Sequence, residues 1–195
     1  NHDGLMEQAT RDLLTDLYNH VYFQERLTSE IESAEKLNQG LCLLVLDIDH
    51  FKGFNDAWGY SIGARVIRQM ADLLRQSVRH GDILARYVGD EFAVILPDTD
   101  VETGRAVAEK MRKTIERYQF RVALMDEVLP EDSVPDDRQV SGVTLTIGLV
   151  HFPENQRTRD GLVMAAEIAL CRGKHQSRNS VCVYDAMTDQ ADDEL

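Results

Sequence analysis

Two pairs of acidic residues stand where a buried sheet would meet solvent. Asp47 and Asp49 follow the apolar run 41–46, and Asp90 and Glu91 lie between two short apolar runs, 83–85 and 92–96. Hard divalent cations take oxygen ligands, and Mg²⁺ is commonly held by one or two carboxylates together with substrate phosphates. Two such ions activate an attacking oxygen and stabilise a leaving one in phosphoryl transfer. His50-Phe51-Lys52 then joins a strand end to a helix start, where main-chain N–H groups face a phosphate and Lys52 adds a charge. Asn55 offers an amide to a base edge. Either acid pair alone reads more simply as a solvated turn. Together with Lys52 and Asn55, the two pairs favour metal-assisted chemistry on a phosphate ester.

Such residues must be carried by a sheet. Asp12 caps a short turn through Leu14 and Leu17, and a helix from about Val21 shows Leu27, Ile31, Ala34 and Leu37 at helical spacing before a stop at Gly40. The run 41–46 reads as a strand buried on both faces. A loop holding Phe51, Lys52, Asn55 and Gly59 leads to a second helix with Val66, Ile67, Met70, Leu73, Leu74 and Val78 on one side. The runs flanking Val88-Gly89-Asp90 form a hairpin. A third helix carries Val107, Ala108, Met111, Ile115 and Tyr118; a strand at 120–124, a proline-containing acidic loop, a strand at 143–150, a helix at 162–170 and a strand at 181–184 follow. The order β-α-β-β-α-β, with an added helix and edge hairpin, implies one α+β domain with helices packed on a mostly antiparallel sheet. In that arrangement the first strand lies beside the hairpin, so the two acid pairs converge.

Composition narrows the function further. A formal charge of −13 over 195 residues excludes a non-specific nucleic-acid binder. Acidic runs at Asp126, Glu127, Glu131, Asp132, Asp136 and Asp137, and at Asp185, Asp189, Asp192, Asp193 and Glu194, read as solvated loop and tail. The three cysteines and six histidines lack metal-ligand spacing, which suits reduced thiols in the cytoplasm. No apolar run is long enough to span a bilayer, and Asn1-His2-Asp3-Gly4 does not open a signal peptide. Residues 1–11 read as the end of a helical linker from an upstream domain, 12–185 as the domain and 186–195 as an acidic tail.

Four segments, in order, resemble the GGDEF domain family. Asp12-Leu13-Leu14-Thr15-Asp16-Leu17-Tyr18-Asn19 is similar to its D-x-L-T-x-L-x-N entry, and the segment from Asp47 to Asp56 to its D-[IL]-D-x-F-K-x-x-N-D motif. Arg86-Tyr87-Val88-Gly89-Asp90-Glu91-Phe92 resembles the signature hairpin, in a variant VGDEF form, and Lys174-His175-Gln176-Ser177-Arg178-Asn179 resembles K-x-x-G-R-N. The resemblance implies a nucleotidyl cyclase fold of the palm, ferredoxin-like kind and condensation of two GTP into cyclic di-GMP by a homodimer, with an upstream sensory domain. Asp47, the Ile48 carbonyl, Asp90 and Glu91 would hold Mg²⁺ or Mn²⁺, with Asp90 and Glu91 catalytic. Phe51, Lys52, Asn55, Gly89, Lys174 and Arg178 would bind substrate, Asn55 reading guanine and the three cationic side chains meeting phosphates.

The same resemblance exposes departures. Val88 replaces a glycine, and its side chain is expected to crowd the nucleotide phosphates, although a type II turn needs positive φ only at Gly89. Ala64 stands where an acid would accept from guanine, and Tyr60 and Ser177 are further exchanges. Arg79-His80-Gly81-Asp82 matches an RxxD inhibitory site for product, with Lys110 as a second basic contact. Three functions therefore compete: a slow or less base-selective diguanylate cyclase, a non-catalytic cyclic di-GMP receptor acting through Arg79 and Asp82, and a GTP-binding regulatory module.

Overall fold

A computed structural model describes residues 9–122 and 139–189. The expected linker up to residue 8, the acidic stretch around Pro130 and Pro135, and the tail after residue 189 lie outside the described residues. Helix α1 (His20–Leu37) starts at Asn19, whose side chain accepts from Tyr22 N at 3.0 Å. It ends at Asn38 in the left-handed region (φ 51°), two residues before the predicted stop at Gly40. Asparagine tolerates that conformation, and its N–H closes the last turn on the Ala34 and Glu35 carbonyls.

Strand β1 (Leu41–Ile48) is followed by α2 (Phe51–Trp58) and α3 (Tyr60–Ser77). The predicted loop around Phe51, Lys52 and Asn55 is thus a helix. Phe51, Phe54 and Trp58 stack along one side of it, a spacing that satisfies a helical face. Strands β2 (Ile83–Val88) and β3 (Glu91–Pro97) form the hairpin, with a register shift between Arg86 and Val88. Helix α4 (Val101–Arg117) is capped by Asp100, which accepts from Thr103 N at 2.7 Å. The short strands β4 (Phe120–Arg121) and β5 (Gln139–Val140) pair with each other in a separate ribbon. Then come β6 (Leu145–Phe152), α5 (Arg159–Gln176), β7 (Val181–Val183) and α6 (Ala186–Asp189). Helix α5 extends beyond the predicted 162–170 at both ends: Thr158 caps its start by accepting from Gly161 N at 3.0 Å, and its polar last turns carry no apolar period from which to read them.

The main sheet runs β2-β3-β1-β6-β7, antiparallel except for the parallel β6–β7 pair. Alternate residues of β1 feed two cores. Leu41, Leu43 and Val45 pack with Phe23, Leu27 and Ile31 of α1 and Leu162, Ala166 and Leu170 of α5. Cys42, Leu44, Leu46 and Ile48 pack with Val66, Met70 and Leu74 of α3 and Ala108, Met111 and Ile115 of α4. Among the described residues no helix is long and apolar enough to cross a membrane.

One acid read as part of a solvated tail, Asp189, is instead buried. Asp189 accepts from Asp185 N at 2.9 Å and pairs with Arg172 Nε at 2.7 Å, its side chain only 2% exposed.

Helix α5 rides on β6 so closely that a Cβ at Gly148 would strike the Ala166 carbonyl and lie 2.6 Å from Leu170 N. Gly148→Ala is expected to cost about 1–3 kcal/mol through this backbone crowding. Gly53→Ala, on α2 with nothing within 4 Å of its Cβ, should gain about 0.5–1 kcal/mol from helix propensity. Thermal melts of both variants check the opposite signs.

Candidate functional site

Strand register brings the acids together. β1 sets Asp47 opposite Glu91 of β3 and opposite Thr146 of β6. Directly opposed residues share a face of the sheet, here the one packed under α5. Ile48 N donates to the Asp90 carbonyl at 3.3 Å, fastening the hairpin turn to the end of β1. Lys174, in the last turns of α5, forms an ion pair with Asp47. Asp47, Ile48, Asp90, Glu91 and Lys174 therefore form one cluster.

Asp49 does not join it. Its carboxylate accepts from Thr144 Oγ1 at 2.8 Å, Thr146 Oγ1 at 2.6 Å and Asn179 N at 2.9 Å. The first of the two acid pairs thus divides between a cluster carboxylate and a structural one.

The cluster carries more negative charge than it can balance. Burial raises the Asp47 carboxyl to about 6; Asp90 pushes the same way, and the Lys174 ammonium opposes both. Glu91 is pushed up to about 9 by burial, then by a hydrogen bond and repulsion from Glu167, with Asp47 adding to it. Burial acts to lower Lys174, but the hydrogen bond and charge of Asp47, backed by Glu91 and Asp90, raise it overall. Glu91 Oε1 is buried without a hydrogen-bond partner. Among the described residues no three His, Cys, Asp or Glu side chains stand grouped as a ready-made metal centre, and Lys174 takes the position beside Asp47. An all-oxygen donor set with surplus negative charge and an orphaned oxygen fits a hard divalent cation.

Beside the cluster lies a cavity of about 380 Å³ walled by Phe51, Asn55, Tyr60, Ala64, Gly89 and Asp90, among others. Asn55 Oδ1 is buried in its wall with no partner. Gly63 makes that placement possible, since a Cβ there would collide with Asn55 Oδ1 and come within 3.1 Å of the Phe51 ring. A smaller adjoining hollow of about 230 Å³ includes Lys52. Gly89 has φ 50°, while Val88 is absent from the residues with positive φ, as a turn with a left-handed glycine allows. Val88 is 59% exposed and belongs to neither cavity wall. Arg178 occupies the turn after α5 with φ 53°.

The Arg79-Asp82 pair is folded on itself. Asp82 accepts from Arg79 N at 2.9 Å and Arg79 Nε at 3.2 Å with its side chain 3% exposed, and Arg79 Nη2 donates to Thr99 Oγ1 at 3.0 Å. Lys110 instead lines a separate concavity on α4 with Lys113, Arg117 and Tyr118.

Glu167 and Arg86 had been given no role from sequence, and Asp12 only that of capping a turn. Glu167 lies seven residues, about two helical turns, before Lys174, a spacing that was available as a signal. Asp12 and Arg86 pair at 3.2 Å, and Arg86 Nε donates to the Gly89 carbonyl at 2.8 Å. One guanidinium thereby ties the entry turn to the hairpin tip.

Residues 9–180 match the family described as "Diguanylate cyclase, GGDEF domain". The chain belongs to the GGDEF family. The probable diguanylate cyclase DgcT of Escherichia coli (strain K12) is 37% identical over 179 residues, covering 92% of this chain and 36% of DgcT. The solved GGDEF domain of DgcB from Caulobacter crescentus, in complex with c-di-GMP, has a TM-score of 0.80 at 29% identity, covering 91% of this chain and 94% of that one. The GGDEF domain of TpbB (YfiN) from Pseudomonas aeruginosa has a TM-score of 0.84 at 29% identity, covering 95% and 99%. These neighbours share the α+β nucleotidyl cyclase fold. The GGDEF chain spans 36%, 45% and 46% of three curated relatives it matches.

Burial works to raise the Asp12 carboxyl, but hydrogen bonds from Thr15 and the Arg86 charge outweigh it and hold the group below its ordinary value. A depressed carboxyl contributes stability that is present above the unfolded-state pKa and lost as pH falls through the folded value. Asp12→Ala should therefore cost about 1–2 kcal/mol at pH 7, with the difference from wild type narrowing below pH of about 4. Urea unfolding of both proteins across that range checks it; an undiminished gap at acid pH contradicts it.

Proposed function

We propose that this GGDEF domain condenses two GTP molecules into cyclic di-GMP, as the catalytic half of a homodimer within a longer cytoplasmic protein carrying an upstream sensory domain. The observation that carries the reading is the convergence of Asp47, Asp90, Glu91 and Lys174 beside a cavity with an unpaired Asn55 oxygen. Kinship with DgcT supports the reaction, and the DgcB complex supports the product. Mg²⁺ or Mn²⁺ held by Asp47, the Ile48 carbonyl, Asp90 and Glu91 would supply charge neutralisation at the α-phosphate and lower the pKa of the attacking ribose 3′-OH.

The remaining work is positioning. Asn55 Oδ1 accepts from the guanine edge, and Phe51 forms the wall against which the base lies. Lys52 and Arg178 bind phosphate oxygens, and Lys174 joins them on leaving Asp47. Fixed charges and main-chain donors stabilise the transition state without a covalent intermediate. Gly89 keeps the hairpin turn free of a side chain where the nucleotide approaches.

Ala64 in the cavity wall favours a modified form of this reading. It offers no acceptor to guanine N1–H and N2–H, so discrimination against adenine is weak. Receptor function through Arg79, Asp82 and Lys110 is the second reading, supported by the 58% exposure of the Arg79 side chain. Against it, Asp82 already spends both carboxylate oxygens on Arg79.

A preassembled dimer incubated with GTP and Mg²⁺ is expected to form cyclic di-GMP, with Asp90→Asn or Glu91→Gln reducing the rate about a hundredfold or more. Ala64→Asp should sharpen GTP-over-ATP selectivity about 10–100-fold. Absence of product, with cyclic di-GMP binding that disappears in Arg79→Ala, would instead establish the receptor.

A further inference from the structure

Arg178 sits in an unusual stretch of backbone. Arg178 and Asn179 both have positive φ, 53° and 43°, a conformation that asparagine tolerates but that arginine avoids unless something holds it there. Part of the hold comes from α5: Ser177 N and Arg178 N both donate to the Gly173 carbonyl, at 3.2 and 2.9 Å. The rest comes from two side chains outside the segment. Asp49 Oδ2 accepts from Asn179 N at 2.9 Å, and Arg112 Nη1 of α4 donates to Asn179 Oδ1 at 2.9 Å. Arg112 is itself fixed by Glu109 at 3.0 Å and Glu116 at 2.9 Å.

Asp49 is equally well anchored. Thr144 and Thr146 of the β6 side donate to its two oxygens, and Asp49 N donates to the Thr144 carbonyl at 2.9 Å. Its carboxylate therefore makes three hydrogen bonds, two to a neighbouring chain segment and one to the turn that bears Arg178. Asp49 is also two residues from Asp47 on the same strand end. The spacing between Asp47 and the Arg178 backbone is thus set by main chain and short hydrogen bonds.

We propose that Asp49 and Arg112 are positioning residues for phosphate recognition: acting through Asn179, they hold the left-handed turn from which Arg178 reaches the substrate phosphates. The inference rests on the reading of Arg178 as a phosphate contact. It gives Asp49 a purpose distinct from that of Asp47, despite their closeness in sequence, and gives Arg112 a purpose beyond its surface ion pairs.

The test is a double-mutant cycle on binding, independent of turnover. Affinity for a non-hydrolysable GTP analogue is measured by calorimetry for wild type, Asp49→Asn, Arg178→Ala and the double variant, with guanosine as the ligand lacking phosphates. Arg178→Ala and Asp49→Asn should each weaken the analogue about tenfold, as loss of a charged hydrogen bond does, and leave guanosine unaffected. The double variant should bind no more weakly than Arg178→Ala alone. Multiplying losses, or an Asp49→Asn protein with wild-type affinity, overturns the positioning role. If Arg178→Ala itself leaves the analogue unaffected, the phosphate reading fails instead, and the positioning role falls with it. Should Asp49→Asn not fold, Arg112→Gln replaces it in the same cycle: loss absorbed by Arg178→Ala supports the proposal, and additive or absent loss rejects it.

Discussion

The pairing of β1 with β3 on one side and β6 on the other is the constraint on which the rest of the molecule depends. Side chains alternate along a strand, so slipping either ladder by one residue would turn Leu41, Leu43 and Val45 away from the α1–α5 core and Cys42, Leu44 and Leu46 away from the α3–α4 core. The same register sets Asp47 opposite Glu91. Placement of the acids is therefore a by-product of packing two hydrophobic layers, and the fold cannot form without assembling them.

That placement has an electrostatic cost. Carboxylates held together under a helix lose hydration and repel neighbouring acids, which is why Asp47 and Glu91 are both shifted toward their protonated forms. Lys174 relieves part of the strain by pairing with Asp47. Sites of this kind sacrifice local stability for readiness to accept charge, and the surrounding apolar cores supply the surplus that makes it tolerable. Gly63 does for the neighbouring cavity what strand register does for the acids, leaving the room in which Asn55 keeps an oxygen unpaired.

Much of this was legible in the residue pattern where burial imposes a strong one. The run 41–46 and the hairpin were readable because continuous apolar segments bounded by turn residues admit few alternatives, and the convergence of the two acidic sites followed from topology. Helix α2 was not readable as a helix because Gly53 and several polar residues obscured the periodic Phe51, Phe54 and Trp58. Asp49 was paired with Asp47 because spacing alone cannot distinguish a carboxylate consumed by threonine hydroxyls from one left for a ligand. Glu167 was overlooked as a single acid in an apolar helix, and Asp189 as part of an acidic run, since burial of a charge is decided by its partner.

Each margin of the main sheet carries a contact from outside it. Along β2, Tyr18 bridges to Ala85 and its carbonyl accepts from Arg86 N at 3.0 Å. Along β7, only three residues long, the Val183 carbonyl is taken by Arg172 at 2.6 Å, the same guanidinium that holds Asp189. Exposed strand margins are templates for joining chains edge to edge, and each of these two is interrupted by such a contact. A strand arriving at either margin would therefore have to displace the Tyr18 bridge on β2 or the Arg172 contact on β7 before it could pair.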